Sequence, residues 1–192
     1  QSRSSAASDV YKRQVGDRAL RTPEFYKLHP MGRVPVLEDE NVTIYESGAI
    51  LEYLLAKYDK GKFCPDIKDP TFPYYLQWLH YAEGSIMPQV NTIVVETILL
   101  PPERKNDVNV ARAFKLLNVA LLNVNNSLEN KDFLTGKFSG ADVMTGHACI
   151  GAKRVGAETS DMANVENYIN RLLSRPAPVS YTHLRAHETK AN

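Results

Sequence analysis

Arg33-Val34-Pro35-Val36-Leu37 and, a short turn later, Ile44-Tyr45-Glu46-Ser47-Gly48-Ala49-Ile50 decide how this chain reads. The first run ends in Glu38-Asp39-Glu40-Asn41, a polar turn. Val42-Thr43-Ile44-Tyr45 is β-branched and aromatic, so the two runs read as a hairpin. The period then changes. Ile50, Leu51, Leu54, Leu55 and Tyr58 recur at helical spacing, so a helix begins near Ser47. A strand therefore delivers Glu46 and Ser47 to a helix N-terminus. Backbone N–H groups and the positive end of the helix dipole suit a carboxylate there.

Ser47 reads as the N-cap of that helix. Three residues on stands Ile50 rather than Glu or Gln, so no capping box closes. One or more first-turn donors are left for water or a ligand. An ordinary serine cap on an ordinary helix fits the same spacing.

The segment LHPMGRVPVLEDENVTIYESGAILEYLLAKY resembles the glutathione-binding segment of the cytosolic glutathione transferases, here of bacterial type. The resemblance implies a thioredoxin-like α/β N-terminal domain and an all-α C-terminal helical bundle. It implies that Val34 offers its backbone N–H and C=O to the cysteinyl unit of glutathione. It implies that the Val34–Pro35 bond is cis, and X–Pro is the bond at which cis is cheap. Glu46 and Ser47 would hold the γ-glutamyl end. Arg33, with Arg21 as a looser match, flanks this site, and glutathione carries two carboxylates that a basic residue suits. His29 stands where many relatives have Asn, and the sequence gives it no catalytic role.

Composition excludes several classes. The chain has 192 residues, with 43% hydrophobic, 23% charged and a net charge of +1, which are globular values. Its basic residues are scattered, so neither nucleic acid nor an anionic membrane is expected as partner. No apolar stretch nears the roughly 18 residues that suggest a membrane span, and no leader is visible. Cys64 and Cys149 form neither CxxC nor a metal-ligand spacing. Two thiols in a reducing, cytoplasmic compartment are expected, with no metal. Asn-x-Ser/Thr matches at Asn41 and Asn125 then carry no glycan.

The expected domains are a partial glutathione-binding domain over 15–58, a linker over 59–69 and a helical domain over 70–177. Residues 1–14 and 178–192 read as extraneous or disordered, because both resemble translated sequencing-adaptor sequence. The resemblance covers about residues 16–177 and implies that a strand and a helix are missing upstream, on the order of 20 residues. Ser4, Ser5 and Ser8 are therefore not promoted to catalysis. His183 and His187, four apart, lie in the C-terminal stretch set aside above, and no metal site is expected there.

Thr22-Pro23, in the first domain, and Asp69-Pro70, at the start of the helical one, read as cap-then-proline helix starts. Leu76, Leu79, Ile86, Met87, Val90, Ile93 and Val94 form a stripe that Pro88 should kink. Trp78, Tyr81 and Met87 read as core, or as the lining of an apolar pocket. A further helix is expected from about Glu103 to Asn130, held by packing because its asparagines are poor helix formers. Ser139 and Asp142 have the spacing of a capping box, with Phe138 and Val143 as its hydrophobic staple. This resembles the N-capping motif of the transferase helical domain, so Asp142 serves folding rather than acid catalysis. A last helix is expected from about Asp161 to Ser174.

The implied activity is conjugation of the glutathione thiolate to electrophilic small molecules, by a homodimer. The chemistry requires a donor that stabilises S⁻, since free cysteine titrates near 8.5. That catalytic residue is not found in the sequence. The rivals are a non-catalytic transferase-like interaction module and a glutathione-dependent reductase or isomerase of the same fold.

Overall fold

The computed structural model describes residues 21–175. Residues 1–20 and 176–192, with Ser4, Ser5, Ser8, His183 and His187, lie outside the described residues. The chain divides between Gly61 and Lys62 into two compact units.

In the first unit, helix α1 (Pro23–Leu28) starts as its sequence predicts. Thr22 Oγ1 accepts from the Phe25 N–H, and Pro23 takes the first turn, where no intrahelical donor is needed. Strands β1 (Val36–Asp39) and β2 (Val42–Tyr45) form an antiparallel pair with register Val36↔Tyr45 through Asp39↔Val42. The turn is tighter than expected, because Glu38 and Asp39 belong to the strand. Glu40 reverses the chain with φ 54°. Helix α2 (Ser47–Tyr58) then runs back along the hairpin.

A charged node ties the end of α2 to the turn end of β1. Asp39 Oδ2 accepts from Tyr53 Oη at 2.9 Å, Tyr58 Oη at 2.6 Å and Lys57 Nζ at 2.9 Å. Lys57 also reaches Glu40 Oε2 at 3.2 Å and lies over the rings of Tyr53 and Tyr58. Tyr58, then Lys57, holds the Asp39 carboxyl down to about 2 from 3.8.

The second unit is all helix. Helix α3 (Phe72–Tyr81) begins two residues later than expected. Asp69 Oδ1 accepts from the Thr71 N–H and Oγ1 ahead of the helix, and Pro73, not Pro70, takes the first turn. A π-helical turn, Ala82–Ile86, joins α3 to α4 (Met87–Val94). Pro88 is accommodated in the first turn of α4 directly after this widened turn, where its missing N–H is tolerated. A second π turn (Val95–Leu99) follows, then a 3₁₀ turn (Pro102–Arg104).

Helix α5 (Asp107–Ser127) starts four residues after the expected point. Asn106 caps it, accepting from Val108 and Asn109, while buried Glu96 accepts from the Asn106 N–H and Asn109 Nδ2. Leu117, Leu121 and Val124 of α5 are fully buried, each worth about 1.5–3 kcal/mol. Asn125, expected only to weaken the helix, caps a neighbour: its Oδ1 accepts from Asn164 and Val165 at the start of helix α7 (Ala163–Leu173).

Helix α6 (Gly140–Arg154) is the central one, and its buried residues are mostly small. Gly146 is why α7 can approach: a Cβ there would lie 2.2 Å from Leu172 Cδ1. Trp78 is buried at 5% exposure, and Thr145 of α6 donates to its carbonyl. Trp78 is therefore core. The capping box forms between Ser139 and Asp142. The staple differs from expectation. Val143 is 42% exposed, and the rings that meet Phe138 are Phe63 and Phe133, with the Arg175 guanidinium 3.5 Å from its centroid. The Gly140 N–H also donates to the Phe63 carbonyl, so part of the expected linker is sewn into the helical unit.

Asp142 is fully buried and accepts four hydrogen bonds: Leu134 N–H and Tyr168 Oη on Oδ1, Ser139 N–H and Oγ on Oδ2. Burial pushes its carboxyl up, and those bonds oppose the shift. In Asp142→Asn, whichever way the amide points, its NH₂ meets one of two backbone N–H donors. An unsatisfied buried donor costs about 1–3 kcal/mol, so a urea melt should show a loss of that order. Asp39 gives a pH signature. Its depressed folded-state pKa stabilises the hairpin fully above 3.8, and that contribution is lost as pH falls through about 2. Hydrogen exchange of the β1–β2 ladder, corrected for intrinsic rates, should show this acid loosening in the parent and not in Asp39→Asn.

Candidate functional site

The hairpin register carries the two arms of the candidate site to one end of the sheet. Val36↔Tyr45 is its outermost rung. Continuing outward, the chain places Pro35 and Val34 on one side and Glu46 and Ser47 on the other. Arg33 follows at the same end and is exposed. The Val34–Pro35 peptide is cis. Arg21 is exposed just ahead of the α1 cap, and the register does not bring it to that end.

The helix start differs in one respect from the sequence reading. Glu46, not Ser47, occupies the cap position, with φ 77° and ψ 118°. Ser47 is the first helical residue and half-buried. The relevant spacing from the cap therefore ends at Ala49, and again no capping box arises. The Glu46 side chain makes no capping hydrogen bond, and no acidic residue lies in the first turn of α2. A non-glycine residue in such a backbone region costs on the order of 1–3 kcal/mol and persists only where its surroundings impose it. Such strain concentrates at ligand sites.

One residue at this end was legible in the sequence only as a lone histidine. His29 is 3% exposed, its Nδ1 accepts from the Met31 N–H at 3.2 Å, and its ring lies 4.5 Å from that of Tyr45. The signal present in the sequence was an acceptor side chain two residues before a backbone donor.

Other features of the described residues carry less chemistry. No disulfide joins Cys64 and Cys149, and burial pushes the Cys149 thiol up to about 12. No group of His, Cys, Asp and Glu among the described residues is placed to hold a metal ion. No described helix is long and apolar enough to cross a membrane. Two open hollows, of about 290 and 240 Å³, lie on the helical unit, beside Phe114 and Gly156 and beside Ile150 and Leu173. Neither is lined by a residue of the hairpin end, where the strain and the helix terminus lie.

Residues 10–56 match the family "Glutathione S-transferase, N-terminal domain". Glutathione S-transferase 4 of Zea mays is 32% identical over 174 residues, covering 86% of this chain and 75% of that protein. The chain belongs to the glutathione S-transferase family. Its architecture is that family's: a thioredoxin-like N-terminal domain with a small sheet, then a helical C-terminal domain. The glutathione transferase URE2P6 of Phanerochaete chrysosporium, solved in complex with oxidized glutathione, superposes with a TM-score of 0.78 at 26% identity, covering 88% of this chain and 80% of that one. Elongation factor 1-gamma of Prunus avium is 29% identical over 167 residues, covering 81% of this chain and 37% of that protein.

Glu46 gives a stability test of the strain. Glu46→Gly admits the same backbone without a Cβ. A denaturant melt should show stability higher by about 1 kcal/mol, the strain relieved less the added chain entropy.

Proposed function

We propose that this chain binds glutathione across the open end of the hairpin and, as a homodimer in a cytoplasmic compartment, conjugates its thiol to electrophilic small molecules. The observation that carries the reading is the register, which extends Val34–Pro35 and Glu46–Ser47 to one place. Val34 would pair its backbone groups with the cysteinyl unit. Ser47 and the first-turn amides of α2 would take the γ-glutamyl carboxylate, and Glu46 the ammonium. Arg33 would face the glycine carboxylate. Conjugation then requires a thiolate: the thiol proton leaves, sulfur attacks the electrophilic carbon, and a leaving group departs or a double bond takes the electron pair. No described residue is assigned to stabilise that thiolate. Clearance of electrophiles is the corresponding role.

A second reading has its own support. The similarity to elongation factor 1-gamma fits a fold used as an interaction module. Such a module has no need of the strained Glu46 beside Ser47.

Calorimetry should give one glutathione site per chain, and light scattering should give the mass of a dimer. No heat at millimolar glutathione overturns the transferase reading and leaves the interaction module. Ser47→Ala should remove a charge-assisted bond of about 1.5–3 kcal/mol, roughly tenfold or more in affinity. Ser139→Ala should instead lower stability by about 0.5–2 kcal/mol and leave the affinity of the folded protein unchanged. Equal ratios of stability loss to affinity loss in the two variants would show that Ser47 does not serve ligand.

A further inference from the structure

We propose that His29 is a positioning residue that locks the two arms of the glutathione site against each other, one through its ring nitrogen and the other through its ring face. The inference rests on the glutathione reading above and assigns His29 no contact with ligand.

Three bonds fix the first arm from this single residue. The His29 backbone N–H donates to the Phe25 carbonyl at 2.9 Å and ends α1. Its carbonyl accepts from the Gly32 N–H at 2.9 Å, and its Nδ1 from the Met31 N–H at 3.2 Å. The chain between His29 and Arg33 is thus held at both of its middle amides, directly before Val34. Ring and backbone act on consecutive residues of a loop that has no ladder of its own.

The second arm is held by the ring face. The imidazole lies 4.5 Å from the Tyr45 ring at 35°. Tyr45 is the last residue of β2, pairs with Val36 and directly precedes Glu46. The strained Glu46 conformation persists only if the residues on either side cannot relax. On one side stands α2, tied through Asp39 to the hairpin turn. On the other stands Tyr45, against which His29 is buried.

Each function demands a different part of histidine. Asparagine supplies an acceptor for the amide two residues on, but no ring. Phenylalanine supplies a ring, but no acceptor. Phenylalanine is also the larger ring, so overpacking adds to any loss in that variant, and the asparagine variant, which is smaller, is free of it.

The experiment compares His29→Phe, His29→Asn and His29→Ala in the full chain. Calorimetry reads glutathione affinity of the folded fraction, a urea melt reads stability, and hydrogen exchange reads the Met31 amide. Each single function lost should weaken affinity about fivefold, the equivalent of one ordinary hydrogen bond, and alanine should lose about the product of the two. Met31 exchange should quicken in the phenylalanine and alanine variants and stay slow in the asparagine variant. Parent-like affinity in His29→Phe, or parent-like Met31 exchange in it, overturns the proposal. So does an affinity loss no larger in alanine than in phenylalanine. If the parent itself takes up no glutathione, the binding reading fails first and the positioning role falls with it.

Discussion

A carboxylate removed from water must be surrounded by donors, and the helical unit is built around one that is. Asp142 draws its donors from the loop before α6, from the cap of α6 itself and from α7. The four donors come from three places in the chain, two of them from Ser139 alone, so the bonds fix the mutual positions of the loop, the cap and α7 as well as satisfying a charge. Hydrogen bonds to charged groups are worth more than neutral ones, and a buried carboxylate left short of donors is heavily penalised. The network therefore has one arrangement that works. Around it, small residues on α6 let neighbours close in, and Gly146 sets how near α7 comes.

The hairpin unit has no such buried charge among its described residues. It is held at its turn end by Asp39 with two tyrosines and a lysine, and at its open end by His29 against Tyr45. The first node is half in water, so solvent screens it and its worth depends on geometry more than on charge. Between the two lies a helix whose cap residue, Glu46, makes no capping bond with its side chain.

Much of this was legible in the sequence, for identifiable reasons. The switch from strand to helix at Tyr45–Ser47 is a change of period, and periods survive context. The Ser139–Asp142 cap is a short-range pairing, so spacing revealed it. Boundaries were less legible. Asp69-Pro70 and Thr71–Pro73 offer two starts within five residues, and Asp69 engages Thr71 with its carboxylate ahead of the helix rather than capping a first turn at Pro70. The start of α5 depends on Glu96, a residue ten positions upstream, which no local pattern displays. Pro88 read as a kink because the widened turn before it has no sequence signature. At the site, residue types were visible but conformation was not: Ser47 looked like a cap, and only the backbone of Glu46 shows where the helix begins. His29 was missed because its role arises from Tyr45, sixteen residues away, and from a backbone amide.

The thiol of Cys149 has a consequence for a chain that would handle reactive carbon. A sulfur nucleophile reacts as its anion. Complete burial pushes the Cys149 titration up to about 12, so at neutral pH the thiol keeps its proton. The protein thus carries, in the core of its helical unit, a cysteine that is chemically silent toward the molecules a glutathione thiolate would attack. Burial withholds this sulfur on two counts, its proton kept and its surface covered.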